Sequence, residues 1–419
     1  MFLKVTVFGG GREVGRSGFE IRGQSTKIIL DYGVMIREDR PVFPLSTHAR
    51  DLDGLIITHA HLDHSGGAPI FYVTENPRVF MTGTTKELTD ILIKDLLHLS
   101  SYFLPYEALE LRTMIEKSED IGNGARIGDA EVEFYNSGHI PGSINVLLRL
   151  DGKKVWYSGD LNTIDTALLK AGVVPDAEMD FAIIESTYAT VDHPPREESE
   201  KRLIEVLNDV VEGGGLALIP AFSVGRSQEI LCVLQKQNFK YSIAIDGMSR
   251  VATKLIASTP ETVRNPELLK KAMSRAKWVA GQKDRDKVLN KPGVVITSSG
   301  MLTGGASVYY MEKIRNRSRD CVVLVSFQIP GTPGRLLLDE GVYGPPGERR
   351  KVKCRVEWID FSSHCGKTEL MKVVKSLKGN PKILCVHGEP ISCTSFAEQI
   401  RQETGLEAYA PSLGDSFTV

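Results

Sequence analysis

Seven times along this chain a short β-prone run delivers a side chain able to bind a metal. Lys27-Ile-Ile-Leu ends at Asp31, Gly54-Leu-Ile-Ile-Thr58 at His59, and Phe181-Ala-Ile-Ile at Glu185. Glu131-Val-Glu-Phe-Tyr leads to His139, Lys154-Val-Trp-Tyr to Asp160, Val356-Glu-Trp-Ile-Asp-Phe to His364, and Lys382-Ile-Leu-Cys-Val ends at His387. One such residue after one strand is ordinary loop chemistry. Seven after seven strands call for a fold that gathers them, and a sandwich whose strands finish along one edge does so.

The densest stretch is Thr58-His59-Ala60-His61-Leu62-Asp63-His64-Ser65-Gly66-Gly67. Imidazole and carboxylate together suit zinc or a similar transition metal. In extended chain His59 and His61 point to one side, and the turn into the next helix re-aims Asp63 and His64. One metal would take His59 and His61, and a second, within about 4 Å, Asp63 and His64. The six cysteines are not the ligands: no CxxC occurs, and Cys232, Cys321, Cys354 and Cys385 each sit in an apolar run, as small buried hydrophobes do.

The middle of the chain has a different rhythm. Pro194-Pro195 opens an amphipathic helix with Leu203, Val206, Leu207, Val210 and Val211 on one face, closed by Gly213-Gly214-Gly215. Strand candidates at 216–219, 242–246, 293–297 and 321–325 alternate with helices at about 226–237, 251–256, 267–280 and 307–316, the pattern of a parallel α/β sheet. This predicts an inserted domain at 196–352 within a first fold made of 1–195 and 353–419. The 419 residues suffice for two such domains at roughly 100–200 residues each.

Net charge is only −2, but residues 264–355 carry 19 Lys and Arg against 8 Asp and Glu, which leaves −13 on the remainder. A basic block on an acidic chain suggests a polyanion-binding module joined to a carboxylate-bearing one. Solvated helix faces would give the same count, so charge alone does not decide. No apolar run approaches the 18–20 residues of a membrane span. The start reads as a strand rather than a signal peptide, so a cytoplasmic protein is expected.

The HxHxDH stretch resembles the signature of the metallo-β-lactamase superfamily, and Asp31, His139 and Asp160 fall where that family keeps its other motifs. Carried over by position, the resemblance implies two zinc ions in an αββα sandwich. His59, His61, His139 and Asp160 would hold one; Asp63, His64, shared Asp160 and His387 the other, with Asp31 behind them. Glu185-Ser-Thr-Tyr, Asp360-Phe-Ser-Ser-His364 and Val386-His387-Gly-Glu resemble motifs A, B and C of the β-CASP nucleases. The segments 219–229, 298–305 and 328–335 are similar to those of the parallel α/β domain that this branch inserts. A motif C histidine is associated with RNA-directed members. His364-Cys365-Gly366-Lys367 is closer to the cleavage and polyadenylation specificity factor endonucleases than to RNase J, and the expectation is a compact archaeal-type homologue without KH modules.

The resemblance implies a zinc-dependent ribonuclease acting on single-stranded RNA, leaving 5′-phosphate and 3′-hydroxyl ends. It is expected to cut as an endonuclease, with 5′→3′ exonuclease action at the same centre left open. Asp63 would orient the nucleophile, and His364 would protonate the leaving alkoxide while Glu185 holds its ring. Ser223, Arg226, Ser298, Ser299, Gly300 and Arg335 on the inserted domain are the expected RNA contacts. A homodimer through Tyr409 to Val419 and association with other RNA-processing proteins are expected by resemblance alone. Three alternatives remain open: a DNA nuclease of the same fold, a silent RNA-binding scaffold, and a small-molecule hydrolase, which would not need the insert.

Overall fold

The computed structural model describes residues 3–37, 40–99, 103–122 and 124–419. The chain forms two compact units: Met1–Ile164 with Ala171–Asp192 and Ser363–Val419, and Asp165–Lys170 with His193–Ser362.

The first unit is a four-layer sandwich. One sheet runs, in spatial order, Ser416–Thr418, Lys4–Gly9, Gly18–Arg22, Lys27–Leu30, Gly54–Ile56, Val79–Met81, Ser118–Asp120. Its partner runs Ala408–Tyr409, Lys382–Val386, Phe181–Glu185, Lys153–Tyr157, Ile144–Leu150, Ala130–Asn136, Gly124–Ile127. Ile28, Leu30, Phe19 and Phe80 of the first sheet join Val146, Leu148, Tyr157, Phe181 and Ile183 of the second in one core. Alternate residues face outward: Ile29, Leu55 and Met81 meet Ile93, Leu111 and Met114. On the other side Trp156, Ala182 and Ile184 meet Leu370, Val374, Phe396 and Ile400 of the helices Lys367–Ser376 and Pro390–Thr404. Covering both faces of each sheet is why the central strands read as unbroken apolar runs rather than alternating ones.

The second unit is built on a parallel sheet of six strands in the order Lys277–Trp278, Ile243–Asp246, Gly293–Thr297, Leu216–Pro220, Cys321–Leu324, Arg355–Trp358. The helices Arg196–Glu212, Arg226–Lys236, Met248–Ala257 and Gly305–Ile314 lie where the periodicity puts them. Two elements differ from expectation. The helix expected over 267–280 ends at Arg275, because Lys277–Trp278 leaves to pair with Ala244–Ile245. The run starting at Val356, expected among the sandwich strands, is the edge of this sheet, paired Cys321↔Arg355 to Leu324↔Trp358.

Candidate metal centre

Strand direction brings the polar residues together. Gly54–Ile56 runs parallel to Lys27–Leu30, so Asp31 and His59 leave one sheet at the same end. In the facing sheet Lys153–Tyr157, Phe181–Glu185 and Lys382–Val386 are mutually parallel. Ala130–Asn136 points the same way across antiparallel Ile144–Leu150. Asp160, Glu185, His387 and His139 therefore emerge at a common edge. After His59 the chain stays extended to His61 (φ −57°, ψ 143°), and the turn Leu62–Ser65 then redirects Asp63 and His64.

Two histidine-rich ligand-capable groups result, His59, His61, His139 and Asp160, and Asp63, His64 and His387, alongside a third set of Asp160, Glu185 and His364. Asp160 faces both histidine-rich groups. Its Oδ2 lies 3.5 Å from His59 Nε2 and from His139 Nε2, and its Oδ1 lies 3.3 Å from His64 Nε2 and from His387 Nδ1. His61 Nδ1 sits 3.1 Å from His139 Nε2, His64 Nε2 is 3.3 Å from His387 Nε2, and His387 Nε2 is 3.2 Å from Asp63 Oδ2.

Bonds behind the ring nitrogens fix the tautomers. Asp31, fully buried at φ +58°, accepts the Thr58 N–H at 2.7 Å, the Thr58 hydroxyl at 2.8 Å, the Tyr157 hydroxyl at 2.8 Å and His64 Nδ1–H at 2.7 Å. The Thr58 hydroxyl oxygen in turn accepts His59 Nδ1–H at 3.1 Å. The Ser363 carbonyl accepts His139 Nδ1–H at 2.9 Å. Each bond turns the opposite lone pair toward the centre. His59 Nε2 is buried there with no hydrogen-bond partner among the described residues. An acceptor buried unmet costs about 1–3 kcal/mol, and a cation is the partner that converging imidazole and carboxylate acceptors fit. Nitrogen and oxygen ligands of this kind suit zinc.

The electrostatics agree with a ligand set. Burial above all, with the neighbouring imidazoles, holds His59 and His139 well below the usual histidine range, and burial brings His61 down to about 4. All three are neutral near pH 7, the form a metal needs. For His64 burial also opposes charge, but Asp160, Asp31 and Asp63 outweigh it and push the imidazole well above its ordinary value. Burial works against ionised Asp160, yet His387, His64 and His59 hold it well below the carboxylate range.

Beside the first group, His364 Nδ1 donates to Glu185 Oε1 at 2.9 Å, and the rings of His364 and His139 lie 4.5 Å apart. Glu185, 1% exposed, also accepts the Leu161 N–H at 2.8 Å. The other expected residues lie in the second unit. Ser223 and Arg226 flank the turn after Leu216–Pro220; Ser298, Ser299 and Gly300 follow the neighbouring strand Gly293–Thr297. A Cβ on Gly300 would stand 3.0 Å from the Phe222 N, so the two turns touch. Arg226 is buried, and Arg335 is half-exposed and paired with Asp339 at 2.7 Å.

Three contributors were not read from the sequence. Ser363 acts through its carbonyl, which no side-chain pattern reveals. Gln328 is buried and donates to the carbonyls of Gly300 and Ser326, each at 3.1 Å. His193 donates to Asp360 at 2.6 Å. Each occurs within or beside a segment that the sequence singles out, but the partners of Ser363 and His193 lie 224 and 167 positions away and Gln328 bonds main-chain carbonyls.

Three family profiles match: the metallo-beta-lactamase superfamily over 13–204, the Beta-Casp domain over 227–337, and the Zn-dependent metallo-hydrolase RNA specificity domain over 349–411. The chain is 40% identical over 423 residues to RNase aCSPSF2 of Saccharolobus solfataricus, covering all of this chain and 85% of that one. Probable RNase MJ4 of Methanocaldococcus jannaschii is 32% identical over 431 residues, the whole of both chains. Transcription termination factor FttA of the same organism is 31% identical over 457 residues, all of this chain and 72% of its own. A solved structure of a protein of unknown function from Enterococcus faecalis has the same fold, with a TM-score of 0.61, 14% identity and full coverage of both chains.

Proposed function

This chain belongs to the β-CASP family of the metallo-β-lactamase superfamily, and we propose that it is a zinc-dependent ribonuclease that hydrolyses single-stranded RNA to 5′-phosphate and 3′-hydroxyl ends. The observation that carries the reading is Asp160, one oxygen turned to each histidine group, with the His364–Glu185 pair alongside.

His59, His61, His139 and Asp160 would hold one zinc, and Asp63, His64, His387 and Asp160 a second. Bound zinc supplies a hydroxide near neutral pH and polarises phosphate oxygens. This chain's residues do the rest. Asp31, Thr58 and Ser363 hold His64, His59 and His139 in the tautomers described. The Asp63 carboxylate, partly open to solvent, orients the attacking water. Glu185 holds the His364 ring and favours its protonated form, and as the P–O3′ bond breaks His364 passes that proton to the 3′ oxygen. Breaking that bond leaves the phosphate on the 5′ side.

RNA as the substrate is supported by the RNA specificity profile, which spans His364 and His387, and by the ribonuclease names of two relatives. The second unit offers a place for the strand. The turns after the adjacent strands Leu216–Pro220 and Gly293–Thr297 lead into different helices, and such crevices at the C-terminal ends of a parallel sheet are where α/β domains take ligands.

The test is zinc-loaded protein offered matched RNA and DNA single strands, labelled at the 5′ end or internally. RNA cleavage abolished by chelation and restored by zinc is expected, with 5′-phosphate products. Equal cleavage of DNA would make it a DNA nuclease, and full zinc content without cleavage would make it a scaffold. Release of a 5′ mononucleotide would indicate the exonuclease mode, and internal fragments the endonuclease mode.

A further inference from the structure

His193, three residues upstream of the helix Arg196–Glu212 that opens the second unit's sheet fold, belongs to no motif used so far. Its Nδ1–H donates to Asp360 Oδ2 at 2.6 Å, in a pair almost wholly buried. Asp360 Oδ1 accepts the Ser362 N–H at 2.7 Å, and the His193 pair holds the Asp360 carboxyl below its ordinary value despite burial. Arg196 donates to the Ser362 carbonyl and lies 5.3 Å over the ring of fully buried Phe361. All three residues of 360–362 are thus clasped by 193–196, within the second unit.

The next two residues of the chain are the ones the centre uses. The Ser363 carbonyl sets the His139 tautomer, and His364 pairs with Glu185. Within the first unit the same stretch is tied again: Asp192 accepts the N–H and hydroxyl of Thr368 at 2.7 and 2.9 Å, and Lys367 N–H donates to the Val191 carbonyl at 3.0 Å. Ser363 and His364 therefore lie in sequence between the clasp at 360–362 and the tie at 367–368.

We propose that His193 is a positioning residue: through Asp360 it sets the span that aims the Ser363 carbonyl at His139 and His364 at Glu185. The part concerning His364 rests on the ribonuclease reading above; the part concerning His139 does not, because it is read in metal affinity. Losing the clasp frees the span, so turnover falls while RNA capture by the rest of the second unit persists, and zinc is held less tightly at the His139 group. Outer partners of metal-bound histidines are commonly worth 10–100-fold in affinity or activity.

The experiment uses the full chain with His193→Ala, His193→Asn and Asp360→Asn. Asparagine places an amide N–H close to where the imidazole Nδ1–H stood, so it rescues a positioning role. The readouts are kcat and KM on single-stranded RNA, and zinc affinity by chelator competition without RNA. We expect His193→Ala to lower kcat by about tenfold or more and zinc affinity by about tenfold, with KM within about twofold, and His193→Asn to recover most of both. Folded His193→Ala with wild-type kcat and zinc affinity overturns the proposal. Should His193→Ala fail to fold, His193→Asn and Asp360→Asn decide. Asparagine at 193 must approach wild type while Asp360→Asn loses kcat and zinc affinity; Asp360→Asn behaving as wild type overturns it. If wild type holds zinc yet cuts no RNA, the ribonuclease reading fails, and the zinc affinities alone judge the clasp.

Discussion

At the scale of single residues, Asp31 connects two histidines that serve different groups, His64 directly and His59 through the Thr58 hydroxyl. Asparagine has nearly the same shape, but its amide N–H₂ would face donors where Asp31 Oδ2 now accepts three. Asp31→Asn is therefore expected to fold and to lose zinc affinity at both groups, by about 10–100-fold each. Chelator competition checks this, and a loss confined to one group would refute the shared role. A pH dependence follows from the histidines. In the metal-free fold His64 carries its proton above the ordinary 6.5, so the stabilisation from that proton is complete below 6.5 and disappears as pH rises through the raised value. Zinc must displace that proton, so affinity at the Asp63–His64–His387 group should climb about tenfold per pH unit across neutrality. His59, His61 and His139 are already neutral there, with His61 at about 4, and zinc at their group should be nearly indifferent to pH above about 5. Zinc titrations between pH 6 and 8 separate the two behaviours; two equal slopes would contradict the assignment.

At the scale of elements, the loop 32–34 lies against 62–64 and fixes the backbone of the second group. Tyr32 and Val34 N–H donate to the His64 and Leu62 carbonyls at 2.8 Å each, and Ser17 N–H donates to the Asp63 carbonyl at 2.7 Å. Gly33 sits between, where a Cβ would stand 1.8 Å from the Asp63 carbonyl oxygen and 2.7 Å from the His64 N. Backbone cannot yield as a side-chain tip would. Gly33→Ala should cost about 1–3 kcal/mol of stability or more, measured by thermal or denaturant unfolding, and should weaken zinc binding beyond that of a surface Gly→Ala control. Such contacts mark the boundary of what the sequence makes legible. Asp31, His59, Asp160 and His387 could be found because each follows an apolar run whose direction the sandwich dictates. The run starting at Val356 shows the limit: its letters announce a strand, but only long-range pairing with Cys321–Leu324 decides which sheet takes it. Lys277–Trp278 is too short for any periodicity to register. The clasp of His193 on Asp360 spans 167 positions, and the Ser363 contact uses a carbonyl every residue possesses.

At the scale of the whole molecule, the uneven charge separates two jobs that can be assayed apart. The stretch 264–355 holds a net +11 and contributes no metal-group residue, while the remainder holds −13 and all of them. If the basic stretch grips the RNA backbone, binding is dominated by release of condensed counterions and owes little to the metals. For single strands the slope of log K against log salt is about −0.7 for each phosphate neutralised, so three to five contacts give a slope of about −2 to −3.5. Many of these cations are locally paired, as Arg285 is with Asp246 and Arg335 with Asp339, which keeps the count well below the nominal charge. Zinc-stripped protein should therefore bind a short single-stranded RNA with a slope close to that of the zinc-loaded form, while cleaving nothing. Reversing the sign of two exposed lysines, as in Lys270→Glu with Lys271→Glu, should reduce the slope and leave zinc content unchanged. Fluorescence anisotropy across 50–300 mM salt measures both. A slope that collapses on removing zinc would assign the grip to the metal centre itself.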